Sequence, residues 1–194
     1  MLGLAGIECG DFVPPVITES VALLNGRFLD GVDTPSNPEK TVSDFTAVFI
    51  HEFGHYFNLD HTQINLTEAF DGNPANDAAI PTMFPLLVNG TEQATLHRDD
   101  IASVSTLYPA PDFFSTTGTI TGTIFLPDGV SPFQGANVIA RNVADPLEDA
   151  VSNVSGTRFN PFAEGGPPPP GLEGLYEING LTPGASYTVE IEQI

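Results

Sequence analysis

One stretch, His51-Glu52-Phe53-Gly54-His55-Tyr56-Phe57-Asn58-Leu59-Asp60-His61, constrains the fold more than any other part of the chain. Residues four apart on a helix share a face, with Cβ atoms about 5–6 Å apart, so the imidazoles of His51 and His55 can reach one metal ion at about 2.0–2.1 Å. A third histidine six residues later cannot join them from the same helix: about 3.6 residues per turn and a rise of about 1.5 Å aim it elsewhere. For His61 to act with the other two, the helix must end and the chain must turn back. Asn58 stands where that reversal is needed, and asparagine is among the few non-glycine residues that accept the left-handed conformation in which helices stop. The helix itself is predicted over Val42 to Phe57. Phe45, Phe49, Phe53 and Tyr56 recur there at three- or four-residue spacing, and Thr41 or Ser43 can cap its start.

Three neutral imidazoles leave a zinc ion (Zn2+) its full charge and one open coordination position, which brings the pKa of bound water to about 7. Glu52, beside the first ligand, is placed to take a proton from that water and return it to a leaving amine. The expectation is a metal site of His51, His55 and His61 with Glu52 as the catalytic base, and amide hydrolysis as the reaction class. The bland alternative is a chance cluster on an amphipathic helix. Three of the four histidines fall at metal spacing with the glutamate in place, which sets that alternative aside. The fourth, His97, reads as a surface residue.

Composition removes several classes of partner. With 25 acidic against 5 basic residues and a formal charge of −20, phosphate backbones and anionic membranes are repelled, so nucleic acid is not expected as a partner. No run approaches the roughly 18 apolar residues that span a bilayer, and Met1 to Gly10 lacks the basic start of a secretory signal. Acidity of this size suits a soluble protein that is secreted, extracellular, or salt-tolerant. The single Cys9 excludes an internal disulfide framework. Asn-X-Ser/Thr patterns at Asn65, Asn89 and Asn153 are short enough to arise by chance. Asp71, Asn73, Asn76 and Asp77 offer oxygens of the kind calcium (Ca2+) takes, yet without the regular spacing of a binding loop; a solvated acidic loop is the preferred reading.

Two patterns meet at Pro109-Ala-Pro111, where the domain boundary is placed. Upstream, Leu2 to Ile7 and Ile17 to Leu24 read as strands separated by Pro14-Pro15, and a second helix fits His97 to Tyr108, with Asp99 and Asp100 favourable to its dipole. A long loop, Thr62 to Leu96, joins the two helices. Downstream, Thr119 to Phe125, Ala136 to Asn142, Leu175 to Ile178 and Tyr187 to Ile191 show β-type runs, and the Pro167 to Pro170 tract reads as a surface loop. The fold class expected is α+β: residues 1–109 carry the metal site, 110–116 link, and 117–194 form an antiparallel β-sandwich.

The His51 to His61 stretch resembles the metzincin signature, with Asn58 where the usual glycine stands. Pro81-Thr82-Met83-Phe84-Pro85 looks like the Met-turn of that group, and Leu96-His97-Arg98-Asp99-Asp100-Ile101 with Leu107-Tyr108-Pro109 is similar to the closing helix of its matrixin branch. The resemblance runs from about Ile17 to Pro109. It implies a zinc endopeptidase acting on proteins or peptides, with Met83 as the hydrophobic floor of the metal site. It further implies that Phe84 to Leu87, a segment without charge, begin the wall of the pocket for the residue after the scissile bond, so an apolar residue is expected there. Leu2 to Ile7 would correspond to the edge strand that binds substrate backbone. The β part resembles carboxypeptidase regulatory-like, transthyretin-like modules through Gly118 to Gly122 and Leu181 to Tyr187. By comparison the chain reads as a fragment truncated at both ends. Cys9-Gly10 invites comparison with the cysteine switch, but Cys9 falls inside the catalytic portion, where an incidental cysteine is the preferred reading. The competing functional readings are a non-catalytic adhesion or scaffold protein with a vestigial metal site, and an inactive piece of the peptidase.

Overall fold

A computed structural model describes residues 2–12, 15–156 and 173–192. The fold is α+β with antiparallel sheets, and the chain divides into two compact units, Met1–Asp100 and Ile101–Ile194. Pro14 and the tract Pro167 to Pro170 lie outside the described residues.

In the first unit, β1 (Gly3–Phe12) and β2 (Pro15–Leu24) pair as an antiparallel ribbon whose register shifts around Cys9. Both strands extend beyond the apolar runs that signalled them. Helix α1 (Val42–Tyr56) begins with a reciprocal cap: the Thr41 hydroxyl accepts from the Asp44 N–H at 3.1 Å, and the Asp44 carboxylate accepts from the Thr41 N–H at 2.9 Å. Its aromatic stripe marks the helix but is not its buried face. Phe49 and Phe53 are 44% and 39% exposed with their rings 4.7 Å apart, while Ala47, Val48 and Glu52 are buried.

The segment expected as a plain loop holds a short helix, α2 (Leu66–Phe70), and a 3-10 turn, Asp77–Ala79. Much of the rest is irregular yet interior: Ile64, Ile80, Met83 and Phe84 are all buried. Short-range sequence signals miss this because the burial comes from packing partners distant in sequence. Helix α3 (Arg98–Leu107) lies within the predicted span, and the divide between the units falls inside it.

The second unit contains α4 (Phe113–Thr116), in the stretch read as linker, followed by β3 (Gly118–Thr123), β4 (Asn137–Asn142), β5 (Asp145–Val154), β6 (Leu175–Leu181) and β7 (Tyr187–Glu192). β3 pairs with β6, and β4 lies between β5 and β7 in a second antiparallel sheet. β4 is buried almost throughout, as a central strand is, and Val138, Ala140, Val151, Ile178 and Leu181 form the core. β5 has no counterpart among the predicted strands. Its Asp145-Pro146-Leu147-Glu148-Asp149 start lacks a β signature, and it tolerates the proline as an edge strand does, one side of its ladder being unpaired among the described residues.

Candidate metal centre

The centre is assembled by the way α1 ends. Asn58 has φ 67°, the left-handed conformation expected of it. Its N–H donates to the His55 carbonyl at 2.9 Å, and the Leu59 N–H donates to the Gly54 carbonyl at 2.9 Å, the paired bonds of a left-handed helix stop. The chain then doubles back, and the Asp60 carboxylate accepts from the His61 N–H at 2.7 Å. As a result His61 meets the two helical histidines. The Nε2 atom of His55 lies 3.1 Å from those of both His51 and His61, which are 3.2 Å from each other.

The contact between His51 and His55 is not a hydrogen bond. His51 Nδ1 lies 2.7 Å from the Thr82 carbonyl and His55 Nδ1 lies 2.8 Å from the Leu59 carbonyl. A carbonyl can only accept, so each Nδ1 carries the proton and each Nε2 presents a lone pair. Two lone pairs facing at 3.1 Å repel unless a proton donor or a cation stands against both. A proton fits poorly, since burial pushes the His51 imidazole down to about 4, against which the Thr82 contact works, and His61 is likewise lowered by burial. A metal ion fits. Nitrogens about 2.0–2.1 Å from a tetrahedral ion are about 3.3 Å apart, close to the spacing found. Among the described residues, these histidines are the one group of three or more His, Cys, Asp or Glu side chains near enough to share an ion.

Glu52 follows the first ligand and is 5% exposed, with its Oε2 buried and without a hydrogen-bond partner. Burial raises its pKa, against the opposing pull of His55. β1 passes close by: a Cβ on Gly3 would collide with the Glu52 carboxyl group, so glycine there lets the strand approach. On another side of the helix, a Cβ on Gly54 would collide with Met83 Sδ. Met83, 3% exposed, thus packs against the centre of the histidine motif, and Gly54 is the residue that admits it.

The turn carrying Met83 is held by groups whose roles are hidden at the level of sequence. Asp100 accepts from the N–H groups of Thr82 and Met83, each at 3.0 Å, and of His97 at 2.8 Å. Asp99 and Asp100 are therefore more than dipole partners for α3: both are buried, and burial raises the pKa of Asp100 while its three donors pull it back. The Thr82 hydroxyl lies 3.0 Å from both the Gln93 and Thr95 carbonyls. Gln93 donates to the Pro81 and Leu86 carbonyls and accepts from the Val88 and Asn89 N–H groups, tying down the strip that follows Met83. His97 is not a surface residue. Its side chain is 12% exposed, with Nε2 on the Ala78 carbonyl at 2.8 Å, and it stands outside the histidine triad.

The other candidate positions serve local structure. The Asp71 carboxylate accepts from Asn73 N–H at 2.7 Å and from Asn76 Nδ2 at 2.9 Å, and these bonds hold its pKa low. Asn65 is wholly buried, donating to the Ala79 carbonyl at 2.7 Å, so the fold closes it to glycosylation. Cys9 pairs through its backbone with Glu19, and its side chain lies outside the described residues.

The centre opens into a pocket of about 650 Å3. Phe84, Pro85, Leu86 and Leu87 line it, as the strip beyond Met83 was expected to, together with Leu4 of β1 and Lys40. No family model matches this chain, and no match to it is found among curated proteins or solved structures.

Proposed function

We propose that the chain is a zinc-dependent endopeptidase of matrixin-like metzincin type, with His51, His55 and His61 holding one Zn2+ and Glu52 as general base. The observation that carries this reading is the pair of opposed Nε2 lone pairs on His51 and His55, which a shared cation would satisfy, beside a buried carboxylate with an oxygen that has no partner among the described residues. Zinc held there supplies Lewis acidity and lowers the pKa of a bound water. Each of the protein's own groups has a task in amide hydrolysis. The Thr82 and Leu59 carbonyls fix the tautomers and ring angles of two ligands. Glu52, its basicity raised by burial, takes a proton as the substrate carbonyl is attacked and passes it to the leaving amine. β1 is paired only by β2 among the described residues, so its other edge can bind an extended peptide beside Glu52, while the pocket receives a side chain and excludes water.

A structural metal site would usually fill its fourth position and would gain nothing from Glu52. The second unit is read as a transthyretin-like β-sandwich accessory module, and the acidic chain as extracellular.

The test is metal analysis joined to Glu52→Gln. Wild type should bind one zinc per chain and cleave peptides, while the variant keeps the zinc and loses roughly 100- to 10,000-fold in rate. A zinc-free folded protein, or full activity in Glu52→Gln, ends the proposal; zinc binding without any hydrolysis favours the scaffold reading.

A further inference from the structure

Apart from the histidines, Glu52 and Lys40 are the only residues with a full charge among the described residues lining the pocket. Lys40 immediately precedes the Thr41 cap of α1. Its own N–H donates to the Phe28 carbonyl at 2.7 Å, which fixes the main chain at that point, and the residue is half-buried. Among the described residues its ammonium has neither a hydrogen bond nor an ion pair. Arg141, by contrast, is engaged by Glu190 and Glu192. In a chain with 25 acidic residues and 5 basic ones, a half-buried lysine with no carboxylate against it calls for an account. A lysine can satisfy itself by laying its stem on apolar surface and sending the ammonium to water. Phe28, Phe84, Leu86 and Leu87 line the same pocket as Lys40 and offer such apolar surface.

We propose that Lys40 is a specificity-determining residue that receives a carboxylate of the substrate in this pocket. The inference rests on the peptidase reading and names its substrate class: peptides whose residue entering the pocket has an apolar stem and an acidic end. The uncharged wall accepts the methylene groups, and in surroundings poorer in water than the bulk the ammonium–carboxylate contact gains strength. Glu52 repels the same carboxylate, so productive binding requires the acid to lie against Lys40 and away from the metal centre. The formal charge of −20 also opposes acidic substrates, but it acts through solvent that screens within about 8–10 Å at physiological salt. The matching carboxylate has two sources. A glutamate side chain gives cleavage within a chain, whereas the terminal α-carboxylate gives removal of a C-terminal residue.

The experiment uses the zinc-loaded full chain and one peptide series carrying Glu, Gln or Leu after the scissile bond, each with a free or an amidated C-terminus. Binding is measured in the Glu52→Gln background, where peptides persist uncleaved, and cleavage sites are mapped by mass spectrometry in the Glu52 protein. Glu peptides should bind and be cleaved about tenfold better than Gln peptides. Lys40→Met should erase that difference, Lys40→Glu should reverse it, and Lys40→Arg should keep it. A preference that follows the free terminus instead assigns the α-carboxylate as the ligand. Equal treatment of Glu and Gln by wild type, or a preference that survives Lys40→Met, overturns the role of Lys40 while leaving the peptidase standing. Glu-selective, Lys40-dependent binding with no cleavage by the Glu52 protein sustains the pocket and removes the peptidase. Failure of every peptide to bind overturns the role of Lys40 as well.

Discussion

The two units bury different kinds of group. The unit that holds the histidines encloses Glu52, Asn65, Thr82, Gln93, Asp99 and Asp100 alongside Ile80, Met83 and Phe84. The other encloses Val138, Ile139, Ala140, Val151, Ile178 and Leu181, with Arg141 as its buried charge and Asn137, Ser155 and Asn179 as uncharged polar groups. The cause is the backbone. In β4 and its neighbours, ladder bonds satisfy the main chain, so the side chains are free to be aliphatic. Around Pro81 to Thr95 there is no ladder, and Thr82, Gln93 and Asp100 take over the task of satisfying buried amides and carbonyls. Placement of the three histidines thus depends on buried carboxylate and amide side chains, whereas the buried polar groups of the sheet unit, Arg141 apart, are uncharged.

That contrast is broken most severely at Asp100. Asp100→Ala leaves three N–H groups without their acceptor and should cost about 3–5 kcal/mol, with a 10- to 100-fold loss in zinc affinity through Thr82 and His51. Arg141→Met, in the other unit, should cost no more than about 1–2 kcal/mol, because its partners Glu190 and Glu192 are 44% and 25% exposed and regain water. Chemical denaturation and zinc titration measure both. Comparable losses from the two variants would mean that the units do not differ in this way.

Gly54→Ala places a methyl group into Met83 and should cost about 1–3 kcal/mol and weaken zinc binding, with partial rescue by Met83→Ala. Gly118→Ala in β3 meets Leu181 Cβ at 3.4 Å and should be tolerated. A thermal melt of each variant and of the double mutant decides the point.

Asn58 is expected to matter through φ alone. Asn58→Gly should leave zinc affinity and stability nearly unchanged, whereas Asn58→Val should cost about 1–2 kcal/mol and misplace His61. Equal harm from both would assign the task to the side chain instead.

A smaller effect follows from protons. Unfolded histidines take up protons near pH 6.5, while folded His51 does so only near 4, so the metal-free protein should lose stability as pH falls across that window. His61, also lowered, adds to the loss. Glu52 acts with the opposite sign: its folded pKa is raised, so stability is gained as pH falls towards its ordinary value of 4.5. Glu52→Gln should therefore steepen the acid limb of the apo profile, read by denaturant midpoints across pH. A flat profile would contradict the burial of these imidazoles.

The sequence alone determined that the three histidines meet, because that information is local. Histidine spacing, the Thr41 cap and the left-handed stop at Asn58 all act within one helix and the turn after it, where periodicity and short-range sterics decide the outcome. Strands with clear β composition, such as β4 and β7, were legible for the same reason. What only the tertiary structure decided is long-range. Asp100 reaches back to Thr82 and Met83, Met83 finds the gap over Gly54, Lys40 comes to the pocket that holds Glu52, and β5 is a strand because β4 offers it an edge. Residues seventeen or eighteen positions apart, as Met83 and Thr82 are from Asp100, leave no periodic trace in one another's neighbourhood. Their meeting is set by which buried backbone groups need partners and which cavities need filling, and those exist only once the chain has folded.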